Sequence, residues 1–297
     1  MQMTSQRLQQ VLLQSLQLPQ LSYTELSQFR QQLSTGLKNY STFVNAVFLG
    51  AQMASPGMAF LAGYQNTIRC LDSDCPNDQL AAFCVSEKGV KKPWDMTTKI
   101  MQSEHGCLLT GEKGYVMLLP DELDRLYVIA KDENQQLKCV FLDAQIDGLR
   151  TTESLKAPFV EDIPHSGVSF ENVSIPASQL LLLDGHSEAN KPFRYWEDVH
   201  VALAMMAWMV RECIENGKSL SELDILTEQM CQLIEKFEEH PDYYSEEIFT
   251  VLDESHEVLD NYSKNLSQMS LDRWIKDRLL LQMGQKIRHL IKVKLSR

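Results

Sequence analysis

Apolar positions near the amino terminus recur at a helical period: Leu8, Val11, Leu12 and Leu16 fall three and four residues apart and share one face. Ser22-x-x-Glu25 has the spacing of a capping box and predicts the start of a second helix. A third is expected from near Thr42. The runs Phe43 to Leu49 and Met58 to Ile68 are apolar, with small residues such as Ala46, Gly50, Ala59, Ala62 and Gly63 that let helices approach closely. Ser55-Pro56-Gly57 breaks the run between two helices. From about residue 78 the period changes, and runs rich in β-branched and aromatic residues alternate with turn clusters. Leu80 to Ser86, Thr97 to Gln102, Cys107 to Thr110, Tyr115 to Leu119, Leu126 to Lys131, Leu137 to Leu142 and Val168 to Ile175 each suit a strand. Ser103-Glu104-His105-Gly106 and the stretch Asp132 to Gln136 read as hairpin turns. The helical period returns near residue 193, where Trp196, Val199, Leu203, Met206 and Met209 share a face. Asn216-Gly217 has the composition of a left-handed cap, and Ser219-x-x-Glu222 repeats the capping-box spacing.

This order defines an α+β chain in three regions: a helical amino-terminal domain over 1–77, an antiparallel β domain over 78–190 and a carboxy-terminal helix bundle over 191–297. No connection reads as a βαβ crossover. Neither a Gly-x-Gly-x-x-Gly string nor a P-loop occurs, which argues against a doubly wound nucleotide-binding sheet.

At 297 residues with 44% hydrophobic positions, the chain has the length and composition to fold throughout. Its longest apolar run, Val201 to Val210, is about half of the roughly 20 residues a membrane span needs. The amino-terminal segment lacks the apolar core and cleavage site of a signal peptide, so a cytoplasmic protein is expected. Seven cysteines without a Cys-x-x-Cys pair read as reduced, mostly buried thiols, and no metal-ligand string is present. Gly-x-Ser-x-Gly is absent too, which removes a nucleophile elbow. The net charge of −12 disfavours nucleic acid as a partner. That charge is uneven. Glu212 to Asp260 holds 15 acidic and 2 basic residues, whereas Leu271 to Arg297 holds 8 basic and 2 acidic, the pattern of neighbouring helices with complementary surfaces.

Four strings in the β region carry a resemblance. Ala82-Phe83-Cys84-Val85-Ser86-Glu87 is similar to the Cys-Val-Thr-Glu-Pro string of the acyl-CoA dehydrogenase family. Leu108 to Val116, containing Gly111-Glu112-Lys113-Gly114-Tyr115, resembles that family's Leu-Asn-Gly-x-Lys-x-Trp-Ile-Thr hairpin. Leu126 to Ala130 stands where the family has an apolar strand, and Val168 to Ala177 is similar to its Val-x-Phe-x-x-Val-x-Val-Pro strand. The resemblance implies FAD held between the β domain and the bundle, and oxidation of an acyl-CoA-type thioester at Cα–Cβ. A carboxylate would remove the α-proton while the flavin takes the β-hydrogen as hydride.

Carried across by position, the resemblance places Cys84, Ser86, Tyr115 and Met117 at the cofactor. Ser86 matches the threonine at the polar edge of the flavin, and Tyr115 matches the aromatic that stacks on the rings. Met117 replaces a threonine and has no proton to donate. The family's Gly-Ser-Asp loop is rewritten as Lys88-Gly89-Val90-Lys91-Lys92-Pro93-Trp94-Asp95, whose three lysines suit a diphosphate or simply solvent. Glu197, in Trp196-Glu197-Asp198-Val199-His200, is the candidate base. A carboxylate near a helix start also answers the helix dipole, and His200 reads as a satisfied interface histidine. The resemblance further implies a homodimer or homotetramer, with the stretch 201–210 as the expected contact. The alternative to an enzyme is a protein of this architecture that has lost the chemistry and serves as a binding or assembly module. The enzymatic reading depends on Ser86 and Tyr115 sharing one wall.

Overall fold

A computed structural model describes residues 3–155, 158–241 and 244–295. They form two compact units, one gathering 1–70, 158–162 and 195–297, the other 71–157 and 163–194. The amino-terminal and carboxy-terminal helices, separate regions along the sequence, therefore share one core.

The helical unit is built from α1 (Ser5–Leu16), α2 (Leu26–Asn39), α3 (Thr42–Gly50), α4 (Pro56–Leu71), α5 (Lys191–Glu215), α6 (Asp224–Glu239), α7 (Glu246–Tyr262), α8 (Gln268–Asp277) and α9 (Leu279–Leu295). Both capping boxes form, each opening a short 3-10 turn that runs into α2 or α6. Gly217, at φ +91°, ends α5 with the Lys218 N–H donating back to the Cys213 carbonyl at 3.0 Å, the closure expected of a left-handed cap. The shared core follows from small residues. A Cβ on Gly50 would meet the Ala204 carbonyl oxygen at 2.3 Å, and one on Gly63 would meet the Val201 Cα at 2.7 Å, so α3 and α4 approach the backbone of α5 itself.

Every residue from Val201 to Val210 is buried in this unit, and Trp208 stacks on Trp274 of α8 with ring centroids 6.1 Å apart. The stretch is the chain's own core. This corrects its assignment as a contact between copies: a helix apolar on all sides is one surrounded by its own protein. The opposed charges of the last helices do meet, with Arg278 to Asp260 at 3.1 Å, Arg288 to Asp253 at 3.1 Å and Lys292 to Glu246 at 4.0 Å.

The β unit holds β1 (Ala81–Cys84), β2 (Lys99–Ser103), β3 (Gly106–Met117), β4 (Arg125–Lys131), β5 (Leu137–Asp143), β6 (Leu149–Leu155), β7 (His165–Pro176) and β8 (Leu180–Asp184). The sheet runs β6-β7-β3-β2-β4-β5-β8, with β1 paired to β4 off this path. It is antiparallel except where β1 and β2 join β4 in parallel. Both predicted hairpins form: Ser103 pairs with Gly106 across two residues, and the Asp132 carboxylate accepts from the Asn134 and Gln136 N–H groups, each at 2.9 Å. The segments Cys107 to Thr110 and Tyr115 to Leu119, expected as two strands, share one strand as far as Met117. β3 crosses Gly111 to Gly114 with register shifts at Leu109/Gly111 and Lys113/Val116.

Candidate functional site

The chain around Ser86 and Tyr115 is organised by a buried ion pair. Lys113 Nζ lies 2.8 Å from the Glu87 carboxylate, with side-chain exposures of 0% and 4%. The ammonium also donates to the Val85 carbonyl at 3.3 Å. Glu87 accepts four further bonds, from the N–H and hydroxyl of both Thr97 and Thr98, at 2.6–3.1 Å. Burial opposes ionisation of Glu87, yet the Lys113 ammonium and these donors outweigh it and hold the carboxyl at about 2. Burial lowers Lys113 while Glu87 partly offsets that effect. The pair thus closes the base of the loop 88–96 and fastens β3 to the end of β1.

On this clamp the Ser86 carbonyl accepts from the Gly114 N–H at 2.8 Å, so the segments carrying Ser86 and Tyr115 adjoin. Both side chains reach solvent. Tyr115 sits at φ +55° within the second register shift of β3, a conformation costly for a bulky residue, and the residue is 62% exposed. Clamp and bulge together turn an aromatic that alternation alone would bury or expose arbitrarily into an outward-facing ring.

Cys84 and Met117 do not share that wall. Cys84 is 1% exposed, and burial pushes its thiol up to about 12. Met117 is 5% exposed and pairs with His165 of β7. Their expected places at the cofactor are therefore corrected: both side chains are turned into the protein, Cys84 within a strand buried over most of its length. Lys88, Lys91 and Lys92 are all exposed, with Lys88 3.6 Å from Glu153. Trp94 beside them is also exposed, and its ring meets His186 edge-on at 4.6 Å.

In the helical unit, α5 begins at Lys191, so Glu197 lies in its second turn, past the N–H groups that a dipole-stabilising carboxylate would meet. Glu197 is half-buried. Asp198 is consumed by structure: it accepts from the Tyr244 hydroxyl and from Arg288 Nη1 at 3.0 Å. His200 is buried, donating from Nδ1 to the Trp196 carbonyl at 2.7 Å and facing the Thr42 hydroxyl at 3.0 Å from Nε2. Burial lowers it to about 4, so it is neutral at physiological pH and serves as a core hydrogen-bonding group.

Arg288 is the residue that pattern reading passed over. It is 2% exposed and binds both Asp198 of α5 and Asp253 of α7. The signal was present in its spacing, seven after Leu281 and four after Gly284, which puts a cation on the buried face of α9.

No family model matches the chain, and no curated protein sequence does. Solved structures do match. A butyryl-CoA dehydrogenase from Megasphaera elsdenii aligns over 100% of both chains at a TM-score of 0.73 and 12% identity. An FAD-dependent dehydrogenase aligns over 100% of this chain and 99% of that one, at 0.74 and 14%. A glutaryl-CoA dehydrogenase from Mycobacterium smegmatis, in complex with FADH2, aligns over 94% and 89%, at 0.67 and 14%. The chain has the acyl-CoA dehydrogenase fold. Among the described residues, no helix is long and apolar enough to cross a membrane.

Proposed function

We propose that this protein is a flavin-dependent oxidoreductase acting on the Cα–Cβ bond of an acyl thioester. The observation that carries the reading is the exposed pair Ser86 and Tyr115 on adjoining backbone, held by the buried Glu87–Lys113 clamp. The pair fits a flavin in two respects: an exposed hydroxyl can donate to its polar edge, and an exposed ring can cover one face. The names of the fold neighbours, an FAD-dependent dehydrogenase and two acyl-CoA dehydrogenases, point the same way. Bound FAD would supply the hydride acceptor. Ser86 and Tyr115 orient it, Lys88, Lys91 and Lys92 offer charge to a diphosphate, and Glu197 takes the α-proton. The expected setting is cytoplasmic.

Purified protein supplied with FAD is expected to show the absorbance bands of bound oxidised flavin and to bleach on adding an acyl-CoA. Ser86→Ala combined with Tyr115→Ala should weaken FAD binding by about tenfold or more, the loss of one hydrogen bond and one stacking contact. A colourless protein that takes up no FAD sinks the reading.

A second reading, an acyl-CoA dehydrogenase fold kept as a binding or assembly module, is favoured by the inward Met117 and by the pairing of Asp198 with Arg288. Binding of acyl-CoA without bleaching of bound flavin would select it.

Assembly into a dimer or tetramer remains part of the proposal, now on a different surface. Leu279, Met283, Leu290 and Val293 form an exposed apolar stripe on α9, opposite the buried face of Leu281 and Arg288. A second copy covering this stripe predicts that Leu279→Asp with Met283→Asp gives a smaller assembly by light scattering, with helical content retained. An unchanged mass would exclude the stripe as the contact.

A further inference from the structure

Residues 158–162 lie on the connection between β6 and β7, yet they pack within the helical unit. Three contacts fasten them there. The Val160 N–H donates to the Asp277 carboxylate of α8 at 2.6 Å. Asp162 accepts from the Ser55 hydroxyl at the start of α4, where a Cβ on Gly57 would meet its Oδ1 at 2.1 Å. Glu161 reaches Lys276 of α8 at 3.1 Å, with both side chains exposed. Val160 itself is 1% exposed and sits at φ +47°, a conformation unfavourable for a β-branched residue that the surrounding contacts must hold in place.

Asp277 is the weak point of this fastening. It is 5% exposed, and among the described residues its hydrogen-bond donor is the Val160 N–H and no lysine or arginine forms an ion pair with it. It ends α8, where the helix dipole disfavours negative charge. The charges acting on it are Glu161 and Asp162, which oppose its ionisation, and Lys276 beside it, which favours it. Arg273 of the same helix is turned to the Ala54 carbonyl and Arg278 to Asp260, while α4 presents the uncharged Ser55. Burial, together with the two acids of the segment, outweighs the bond from Val160 and pushes the carboxyl up to about 6. A protonated Asp277 removes the buried charge, and its carbonyl oxygen still accepts from the Val160 N–H.

We propose that residues 158–162 form a pH-dependent strap, fastened to α4 and α8 while Asp277 is protonated and loosened as that carboxyl ionises. The sign follows from linkage. Fastening takes up a proton, so its contribution is complete below the ordinary carboxyl value of 3.8 and is lost as pH rises through about 6. The device uses neither Ser86, Tyr115 nor Glu197 and does not depend on a bound flavin.

Amide hydrogen exchange of the full chain, followed by mass spectrometry at about pH 5 and about pH 7.5 and corrected for intrinsic exchange rates, tests it. Protection of the Val160 amide should fall by about tenfold at the higher pH. Protection across Val201 to Val210, in the core of the same unit, should not change with it. Asp277→Asn keeps an oxygen acceptor for the Val160 N–H and carries no charge, so its protection at Val160 should be the same at both values. Equal protection of Val160 at the two values in the unmodified protein would overturn the strap, whatever the variant does. A parallel loss across Val201 to Val210, or a tenfold fall that persists in Asp277→Asn, would overturn it as well.

Discussion

Lys113→Met is expected to destabilise the β unit by about 3–5 kcal/mol, the cost of leaving a buried carboxylate without its counter-charge. The geometry supports the upper part of that range. Lys113 has no exposed side-chain surface, and its ammonium bonds both the Glu87 carboxylate and the Val85 carbonyl. Methionine has similar volume, so packing changes little and the measured loss reports the charge. Adding Glu87→Gln should recover part of the loss, because a neutral amide tolerates burial better than an unpaired carboxylate. Urea unfolding with an unchanged slope is the measurement, and a loss below about 1 kcal/mol would show that the pair is not the clamp described.

The same pair predicts acid behaviour. Glu87 is held at about 2 in the folded protein against an ordinary value of 4.5. A depressed folded value means that the stabilisation is complete above 4.5 and is lost as pH falls through about 2. Lys113→Met should therefore flatten the acid limb of the stability curve within that window.

Glu197→Gln is expected to reduce the rate of flavin bleaching by an acyl-CoA by about 10²–10⁴-fold, the usual contribution of a general base. Flavin binding should persist, since Glu197 lies on α5 and the proposed cofactor contacts lie on β3 and after β1. Its neighbour Asp198 is tied to Arg288 and Tyr244, and Glu197 lies in the second turn of α5. Anaerobic single-turnover spectra with short-, medium- and long-chain acyl-CoA provide the readout. An unchanged bleaching rate would remove Glu197 from proton abstraction.

Much of the architecture was legible along the chain. The change from a helical to an alternating period separated the helices from the strands, and both capping boxes, both hairpins and the Gly217 cap formed where their local chemistry placed them. Two strands escaped notice for opposite reasons. β6, Leu149–Leu155, is largely polar and pairs only with β7, so its pattern carries little apolar signal. β8, Leu180–Asp184, is a continuous leucine run without alternation. At the candidate site, Ser86, Glu87, Lys113 and Tyr115 were found by string resemblance, but the direction of each side chain was not. Counting alternate residues from Tyr115 puts Met117 on the same face, and the register shift in β3 breaks that count.

Local patterning by itself determined the element types, their caps and turns, and the complementary charges of the last helices, because these depend on residues within a few positions of one another. Only the tertiary structure decided that the first and last helices share one core, that Val201 to Val210 is interior rather than a contact between copies, and that Arg288 gathers Asp198 and Asp253. Such outcomes rest on close approach between segments distant in sequence, where a missing Cβ at Gly50 or a single buried guanidinium selects the partner.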